Sequence, residues 1–366
     1  ANAIAFDVRE KGRPMREGNS VDGKPLKDAN GNTIMQPGTL KSTKAIGWYI
    51  DEYGIAQVSM NITNINVTPL HVAFDEVCRA AAARGVRVTG AEIVGLMPKR
   101  VLLDAGRHYL EMQQRSVGIP EDDIIQIAIK SMSLDQLKPF CPKEKVIEML
   151  LEADDDTQKL VDLSVKAFTE ETSRESPAPG GGTIAACMGA MGAALGTMVA
   201  NLSAHKRGWD ERWEEFSRWA EKGQALQSRL LRLIDDDTAA FNEIMAAFGM
   251  PKSNDEEKTL RSAAIQTATL HAAQVPLETM KTAFEAFALC KAMAENGNPN
   301  SISDAGVGAL AIRAAVRGAC MNVKINASSL KDRSLAEPLI AEADRIAEEA
   351  DREEAAITSF INARLV

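Results

Sequence analysis

Residues 176–202 read SPAPGGGTIAACMGAMGAALGTMVANL, and this segment is the most informative one for the architecture of the C-terminal part of the chain. Two prolines stiffen the approach to three glycines, which allow the backbone to come close to another group. The following residues, 183–202, carry no charge and are mainly Ala, Gly and Met. They are long enough to cross a membrane, but their small size favours a buried helix in close contact with its neighbours. Glycines recur along it every three or four residues: Gly189, Gly192 and Gly196.

The glycine turn before this helix is a candidate binding site. Free N–H groups at a helix N-terminus favour a carboxylate or another electron-rich group. The turn lacks a GKS/T pattern and is therefore not a Walker loop. A tight loop packed on a neighbouring helix explains the pattern equally well. The candidate residues are Pro179, Gly180, Gly181 and Gly182.

The C-terminal part is predicted to be an all-α helical bundle over residues 160–366, because strand patterns nearly vanish and Ala-rich helical runs dominate. Pro276 is expected to kink or divide the fourth run. The predicted helices are 160–172, 183–203, 210–248, 256–295, 303–321 and 335–363.

Residues 1–150 mix strand and helix patterns and are predicted to form an α/β domain, an α+β sandwich. An acidic linker, 151–159, follows it. Turn pairs are predicted at Asp22-Gly23 and Asn30-Gly31. The predicted strands are 45–50, 55–62 and 86–94, and the predicted helices are 69–84, 99–114 and 143–152.

Composition excludes several classes of protein. A net charge of −9 over 366 residues argues against a general nucleic-acid binder. Five cysteines and four histidines are scattered, without a CxxC pair. This spacing predicts neither a disulfide framework nor a metal site, and it is typical of a reducing, cytoplasmic environment.

Asp235-Asp236-Asp237 interrupts an apolar helical run and contains the strongest candidate for chemistry. Steps of about 3.6 residues from Leu230 pass through Ile234 to Asp237, so Asp237 is predicted to point inward. Burial raises the pKa of a carboxyl group and suits it to act as a general acid. Asp235 and Asp236 are better explained as a solvated patch or as salt-bridge partners.

Other polar residues have two readings. Ser303 and Asp304 could line a pocket, but capping of the next helix explains both. Asn322 and Asn326 share a helical face and could be structural or could recognise a heterocycle. Lys206 and Arg207 could meet an anionic tail or form a solvated helix end.

These motifs resemble the formiminotetrahydrofolate cyclodeaminase family. The resemblance rests on residues 176–183, the Gly/Ala helix through 189–196, the 235–237 triplet and Ser303-Asp304. The N-terminal part, through residues 45–49, 56–61 and 94–98, resembles the C-terminal subdomain of glutamate formiminotransferase. The two matches come in the order of the bifunctional formiminotransferase-cyclodeaminase family. Nothing here corresponds to the transferase's N-terminal subdomain with its catalytic histidine, so the chain is expected to be truncated and transferase activity is not expected of this segment alone.

The resemblance implies an enzyme that converts 5-formimino-tetrahydrofolate to 5,10-methenyl-tetrahydrofolate and ammonia, without metal or redox cofactor. It assigns the proton donor to Asp237, and the substrate is a folate alone or with a polyglutamate tail. It implies a pterin and formimino pocket lined by the glycine turn, Ser303-Asp304 and Asn326. Lys206 and Arg207 become candidate contacts of the glutamate tail. In the first domain it implies folate contacts at Lys41, Lys44, Gly47 and Trp48.

The resemblance also implies a homo-oligomer, a dimer-based ring of up to eight copies, with no nucleic-acid or membrane partner. Two alternatives remain at this point. One is a methenyltetrahydrofolate cyclohydrolase-like enzyme, and the other is a non-catalytic folate-binding or assembly subunit that partners a separate transferase half.

Overall fold

The computed structural model describes residues 1–19, 23–153, 159–176 and 178–365. Parts of the predicted 151–159 linker, Asp22 of the predicted turn and Pro177 lie outside the described residues. The chain divides into two compact units: Ala1–Gln113 with Glu121–Asp156, and Gln114–Pro120 with Thr157–Val366. Residues 114–120, within the range that the sequence assigns to the first domain, therefore belong with the second unit.

The first unit has helices and four short strands in its described residues. Strands β3 and β4 form an antiparallel hairpin that pairs Thr43 with Ile62 and Ile50 with Ile55. One face of the hairpin packs on α1 and α2, where the core includes Ile4, Val8 and Val77. The elements are α1 (Asn2–Val8), β1 (Arg13–Pro14), β2 (Met35–Gln36), β3 (Thr43–Ile50), β4 (Ile55–Ile62), α2 (Leu70–Ala82), α3 (Lys99–Met112), α4 (Glu121–Ser131), α5 (Pro142–Lys145) and α6 (Ile147–Ala153).

The predicted strand at 86–94 is wrong, because these residues are extended or irregular and pair with no strand. The Ala91 N–H donates instead to the carbonyl oxygen of Ser133, after the end of α4, at 3.1 Å. An apolar, β-branched segment becomes a strand only when a partner strand supplies its hydrogen bonds.

The second unit is a helical bundle in its described residues, so the predicted fold class is confirmed. Residues 114–120 contact it as a loop, where the Val117 N–H donates to Ser217 Oγ at 3.1 Å. Its helices are α7 (Val165–Thr172), α8 (Gly181–Ala204), α9 (Trp213–Gly249), α10 (Asp255–Asn296), α11 (Ile302–Ser328) and α12 (Arg333–Asn362).

Helix α8 packs against α9, α10 and α11, and its glycines make this possible. A Cβ on Gly192 would lie 2.7 Å from Ile312 Cγ1, and a Cβ on Gly196 would lie 2.8 Å from Leu289 Cγ. The predicted close packing is therefore confirmed. The helix is apolar and long enough to span a membrane, yet 61% of its most apolar window is buried inside the structure. The buried fraction fits the core helix of a bundle.

Helix α10 continues through Pro276, so this proline does not divide the run, and the kink that was the other expectation stays a prediction. Proline has no N–H, which leaves the carbonyl oxygen of Ala272 without its helical donor. Asn326 of α11 replaces that donor, and its Nδ2 lies 2.6 Å from the Ala272 oxygen. The side chain of a neighbouring helix thereby satisfies the carbonyl that Pro276 leaves free.

A cluster of titratable side chains joins α2 and α3 of the first unit. The rings of His71 and His108 stack with centroids 4.4 Å apart. Asp75 accepts from Tyr109 Oη at 3.0 Å and lies 3.3 Å from His108 Nε2. His71 Nδ1 is buried and has no hydrogen-bond partner in the described structure. Burial, together with nearby His108, lowers the pKa of His71, while the carboxylates of Asp75 and Asp104 oppose the shift.

We predict that Asn326→Ala destabilises the second unit by about 1–3 kcal/mol, because the buried carbonyl of Ala272 loses its donor. In a Pro276→Ala background the new N–H of residue 276 can donate to that carbonyl. Asn326→Ala should then lower the free energy of unfolding much less. Urea unfolding of the four proteins in a double-mutant cycle measures the difference. Strictly additive effects would contradict this account of Asn326.

We also predict that acid weakens the first unit through His71. The pKa of His71 is lower in the folded chain than in the unfolded chain, so between these two values only the unfolded chain binds a proton. The contribution of neutral His71 to the free energy of unfolding is therefore complete above about pH 6.5, and it is lost as the pH falls through the folded pKa. In His71→Gln, the hydrogen-exchange protection factors of α2 and α3, which correct for the pH dependence of intrinsic exchange, should fall less between pH 7 and pH 5 than in wild type. His205→Gln, in the second unit, is the control. An equal fall of the protection factors in wild type and His71→Gln would contradict the prediction.

Candidate functional site

The three-glycine turn lies at the N-terminus of α8, with Gly180 as its N-cap. The Gly180 N–H donates to Thr183 Oγ1 at 3.3 Å. Thr183 is fully buried, and Pro179 before the turn is buried as well. The first turn of α8 thus holds the glycines in place with one of its own side chains.

Asp237 of α9 lies directly against this turn. Its Oδ2 accepts a hydrogen bond from Thr183 Oγ1 at 2.9 Å. A Cβ on Gly182 would lie only 2.1 Å from Asp237 Oδ1, so the carboxyl occupies the space that any other side chain would need. The predicted inward position of Asp237 and its juxtaposition with the glycine turn are both confirmed. Thr238 adds a second hydroxyl, 3.5 Å from that of Thr183.

The surroundings of Asp237 act on its pKa in opposite directions. Burial raises the pKa, and hydrogen bonds from the side chain and main chain of Thr183 lower it. The N-terminus of α8 also favours the ionised form. The net direction is upward, so the carboxyl keeps its proton at a higher pH than an ordinary aspartate and can donate it there.

The two aspartates before Asp237 have different surroundings. Asp235 Oδ1 accepts from the Leu160 N–H at 2.7 Å and so anchors the segment before α7. Asp236 is exposed, as expected for a solvated position. In the described part of the chain no three His, Cys, Asp or Glu side chains, this triplet included, form a group that could hold a metal ion.

Asn322, and not Asn326, meets the glycine turn. A Cβ on Gly181 would lie 3.1 Å from Asn322 Nδ2, which donates to the carbonyl of Gly318 at 2.9 Å. Asn326, one turn further along α11, donates to Ala272 and supports α10. One N–H of its amide is thus used within the bundle, and its predicted contact with a pterin stays a prediction.

Four predicted site residues lie far from the glycine turn within this chain. Helices α8 and α11 are antiparallel, since Gly181 meets Asn322 while Gly192 meets Gly308. Lys206 and Arg207 follow the C-terminal end of α8, a helix of 24 residues, which at about 1.5 Å per residue places them roughly 36 Å from the turn. Ser303 and Asp304, in the first turn of α11, lie at that same distant end. The structure thus brings Asp237 and the glycines together and leaves these four apart.

The predicted folate contacts of the first unit lie on or next to β3. Lys44 and Trp48 are exposed on one face of the hairpin, and Trp48 Nε1 donates to Gln57 Oε1 at 2.6 Å. Gly47 faces the other way, where a Cβ would lie 2.2 Å from the backbone nitrogen of Asn2. Lys41 is exposed just before the strand. Lys44 and Trp48 share a surface, and Gly47 has a packing role.

The sequence alone indicates no site role for Thr183 or Thr238, and it indicates Asn322 only together with Asn326, as structural or as a contact of a heterocycle. Thr183 had a usable signal, because a hydroxyl three residues after an N-cap commonly returns to the cap. Asn322 lies one turn from Asn326 on the same helical face, and no local pattern distinguishes their roles. The difference comes from Pro276, on another helix.

Two family models match this chain, one over its N-terminal part and one over its C-terminal part. Residues 1–152 match the family model described as Formiminotransferase domain, and residues 164–345 match the model described as Formiminotransferase-cyclodeaminase. The rat protein named formimidoyltransferase-cyclodeaminase is 34% identical over 364 residues, which cover 100% of this chain and 64% of that protein. The chain thus spans about two thirds of the length of that relative.

Two shorter relatives each match about half of the chain. A methenyltetrahydrofolate cyclohydrolase from Methylorubrum extorquens is 41% identical over 187 residues, 51% of this chain and 90% of that protein. The crystal structure of formiminotetrahydrofolate cyclodeaminase from Thermotoga maritima superposes with a TM-score of 0.51 at 26% identity. It covers 57% of this chain and 100% of that one.

We predict that Thr183→Val raises the pKa of Asp237 further, because the hydroxyl that stabilises the ionised carboxylate is removed while the shape is kept. Carboxyl carbon NMR of protein labelled at aspartate, with Asp237→Asn to assign the signal, measures the pKa. Thr172→Val, a change of an α7 threonine that bonds its own helix, is the control. A lowered or unchanged pKa would show that Thr183 does not control this carboxyl.

Proposed function

The chain belongs to the formiminotransferase-cyclodeaminase family, and on that premise we propose that its second unit converts 5-formimino-tetrahydrofolate to 5,10-methenyl-tetrahydrofolate and ammonia. The observation that carries the proposal is the Asp237 carboxyl, which lies on the glycine turn with a raised pKa. A general acid must still be protonated at the pH of the reaction, and this carboxyl meets that requirement better than an exposed aspartate.

The reaction assigns a distinct task to each group. N10 attacks the formimino carbon and forms a new C–N bond, and the proton of N10 passes to the exocyclic nitrogen. Asp237 supplies the further proton with which that nitrogen leaves as ammonia, and the carbon then bridges N5 and N10. Thr183 and Gly182 hold the carboxyl in position. Holding N10 against the carbon makes the attack effectively unimolecular.

We propose that no metal or redox cofactor takes part. The one-carbon unit stays at the same oxidation level when an amidine nitrogen is exchanged, so no electrons need to be transferred. Proton transfer and orientation are then the tasks left to the protein.

A second candidate reaction is hydrolysis of 5,10-methenyl-tetrahydrofolate. The 41% identity to a cyclohydrolase over 187 residues of this chain favours it specifically. There, water attacks the carbon between N5 and N10, and the tetrahedral centre carries a hydroxyl where the cyclodeaminase reaction has an amino group. One carboxyl could exchange protons with either centre. Release of ammonia from the formimino substrate distinguishes the two enzymes.

For the first unit we propose a folate-contacting surface on the β3–β4 hairpin. Lys44 offers a cation and Trp48 an exposed aromatic ring on one face. An anionic ligand with a flat ring suits that pair. Lys41, which is exposed just before β3, is a third candidate contact of the folate.

We further propose that the protein forms a homo-oligomer through α8 and α11. Side by side, these helices expose apolar side chains, with Met191 52% and Met321 70% exposed. Others on the two helices are Met198, Leu202, Val307, Leu310 and Ile325. Contiguous exposed apolar surface of this kind marks an interface, and two antiparallel helices can meet a second copy across a two-fold axis.

A cytoplasmic location is also proposed. The five cysteines are all free thiols in the structure. Free thiols persist in a reducing compartment such as the cytoplasm. The proposed folate reaction requires no other compartment.

We predict that Asp237→Asn lowers turnover of 5-formimino-tetrahydrofolate by about 10²- to 10⁴-fold, the usual contribution of a general acid. Near-ultraviolet absorbance of the methenyl product and assay of ammonia measure it, and calorimetry checks that folate still binds. Asp236→Asn, the same change at an exposed neighbour, should keep most of the turnover. In wild type, kcat should fall as pH rises through the pKa of Asp237. Equal loss in both variants, or ammonia release without Asp237, would refute its role.

A further inference from the structure

Asn322 of α11 is the second polar side chain, besides Asp237, that meets the three-glycine turn from another helix. Its Nδ2 and Oδ1 lie 3.1 Å and 3.6 Å from the position that a Cβ on Gly181 would take. Asp237 of α9 occupies the corresponding space beside the next residue, Gly182. Consecutive Cα atoms are about 3.8 Å apart, and consecutive helical positions point about 100° apart. An amide and a carboxyl group thus reach the start of α8 from two directions.

The amide of Asn322 is held in one orientation, and its oxygen has no donor. Nδ2 donates to the carbonyl oxygen of Gly318, one turn earlier on α11, at 2.9 Å. Oδ1 accepts no hydrogen bond from the described residues, and because Asn322 is only half-buried, this oxygen is open to a ligand. Asn326 differs, since it donates to the carbonyl oxygen of Ala272 on α10. Within the described part of the chain, Asn322 therefore bonds to its own helix and leaves an acceptor at the turn.

The two hydroxyl groups at the turn have different capacities. Thr183 Oγ1 donates to Asp237 and accepts from the Gly180 N–H, so its proton and one lone pair are already used. The Thr238 hydroxyl, 3.5 Å from that of Thr183, can donate or accept, so it does not select between an N–H group and a carbonyl oxygen. An amide oxygen only accepts. Asn322 Oδ1 is therefore suited to select a ligand group that carries N–H.

The leaving nitrogen of the proposed reaction has the matching groups. Once N10 has attacked and passed on its proton, the exocyclic nitrogen carries two N–H groups and one lone pair. The lone pair must face the proton of Asp237, because that proton lets the nitrogen leave as ammonia. An N–H group then points away from the carboxyl and needs an acceptor on another side. A donor at that place would instead occupy the lone pair and oppose the proton transfer.

We propose that Asn322 is a catalytic residue whose Oδ1 accepts a hydrogen bond from the exocyclic nitrogen and turns its lone pair toward Asp237; this inference rests on the proposed function. N10 forms the new bond to carbon and gives its proton to the exocyclic nitrogen. Asp237 gives a second proton, and the carbon–nitrogen bond breaks with its electron pair on ammonia. Asn322 stays neutral throughout. Its hydrogen bond strengthens as the nitrogen becomes positive, so it stabilises the transition state more than the bound substrate.

Release of ammonia from 5-formimino-tetrahydrofolate tests this role. In Asn322→Ala, kcat should fall about 10- to 100-fold, the contribution of a hydrogen bond to a charged group, while KM changes much less. Asn322→Leu, which keeps the volume of the side chain, should behave alike, and urea unfolding shows that the variants are folded. Asn242→Ala removes an exposed asparagine of α9 and should leave kcat unchanged. An unchanged kcat in Asn322→Ala would overturn the proposal and leave the role of Asp237 intact.

Binding of two unreactive analogues tests the contact without turnover. 5-Carbamoyl-tetrahydrofolate carries an NH2 group on the carbon attached to N5, and 5-formyl-tetrahydrofolate carries a hydrogen there. In calorimetry, wild type should bind the carbamoyl form about 3- to 10-fold more tightly, the effect of one neutral hydrogen bond. Asn322→Ala should lose this preference. Equal binding of both analogues by wild type, or a preference that survives in Asn322→Ala, would overturn the proposal.

The two measurements separate this inference from the proposed function. A preference for the carbamoyl form that depends on Asn322, in a protein that releases no ammonia, would sustain the nitrogen contact and refute the proposed reaction. Ammonia release that needs Asp237 but not Asn322 would sustain the reaction and overturn the contact. Tighter binding of the formyl form that is lost in Asn322→Ala would show that the amide donates to the ligand, and it would overturn the proposed acceptor.

Discussion

The contact between the Asp237 carboxyl and the Cα of Gly182 is the constraint on which the candidate site depends. A Cβ at residue 182 would lie 2.1 Å from Asp237 Oδ1, so the two groups can coexist only because that position is a glycine. Thr183 then fixes the carboxyl by a 2.9 Å hydrogen bond. Two helices distant in sequence thereby place an acid at a helix N-terminus, where its ionisation is governed by burial on one side and N–H and O–H donors on the other.

The same use of small residues builds the rest of the second unit. Along α8, the missing side chains of Gly189, Gly192 and Gly196 admit Leu230, Ile312 and Leu289 from three neighbouring helices. Each neighbour approaches closely, and the buried contact area makes up for the loss of side chains on α8 itself. This packing fixes the direction of each helix and so determines which residues reach each end of the bundle. One end carries Asp237 and Asn322; the other carries Lys206 and Asp304.

A buried backbone carbonyl explains why Asn326, a predicted ligand contact, lies where it does. Asn326 supplies the hydrogen bond that Pro276 cannot make, so its amide is structural. Asn322, four residues earlier, is free to approach the glycine turn. Whether such an asparagine supports a neighbouring helix or contacts the glycine turn depends on which carbonyl oxygens of the neighbouring helix lack a donor. The residues around it in the sequence do not distinguish these two roles.

The pattern of residues along the chain is enough to predict the helical bundle, the buried glycine helix and the inward position of Asp237, because a periodicity of 3.6 residues indicates which face of a helix is covered. It also indicated the family, through motifs that lie within single segments. Which segments meet is seen only in the packed molecule. The packing separates Lys206, Arg207, Ser303 and Asp304 from the glycine turn, and it brings Asp237 and Asn322 to that turn from two different helices. The physical reason is that periodicity is a local property, whereas proximity depends on helix direction and on contacts between residues far apart in the chain.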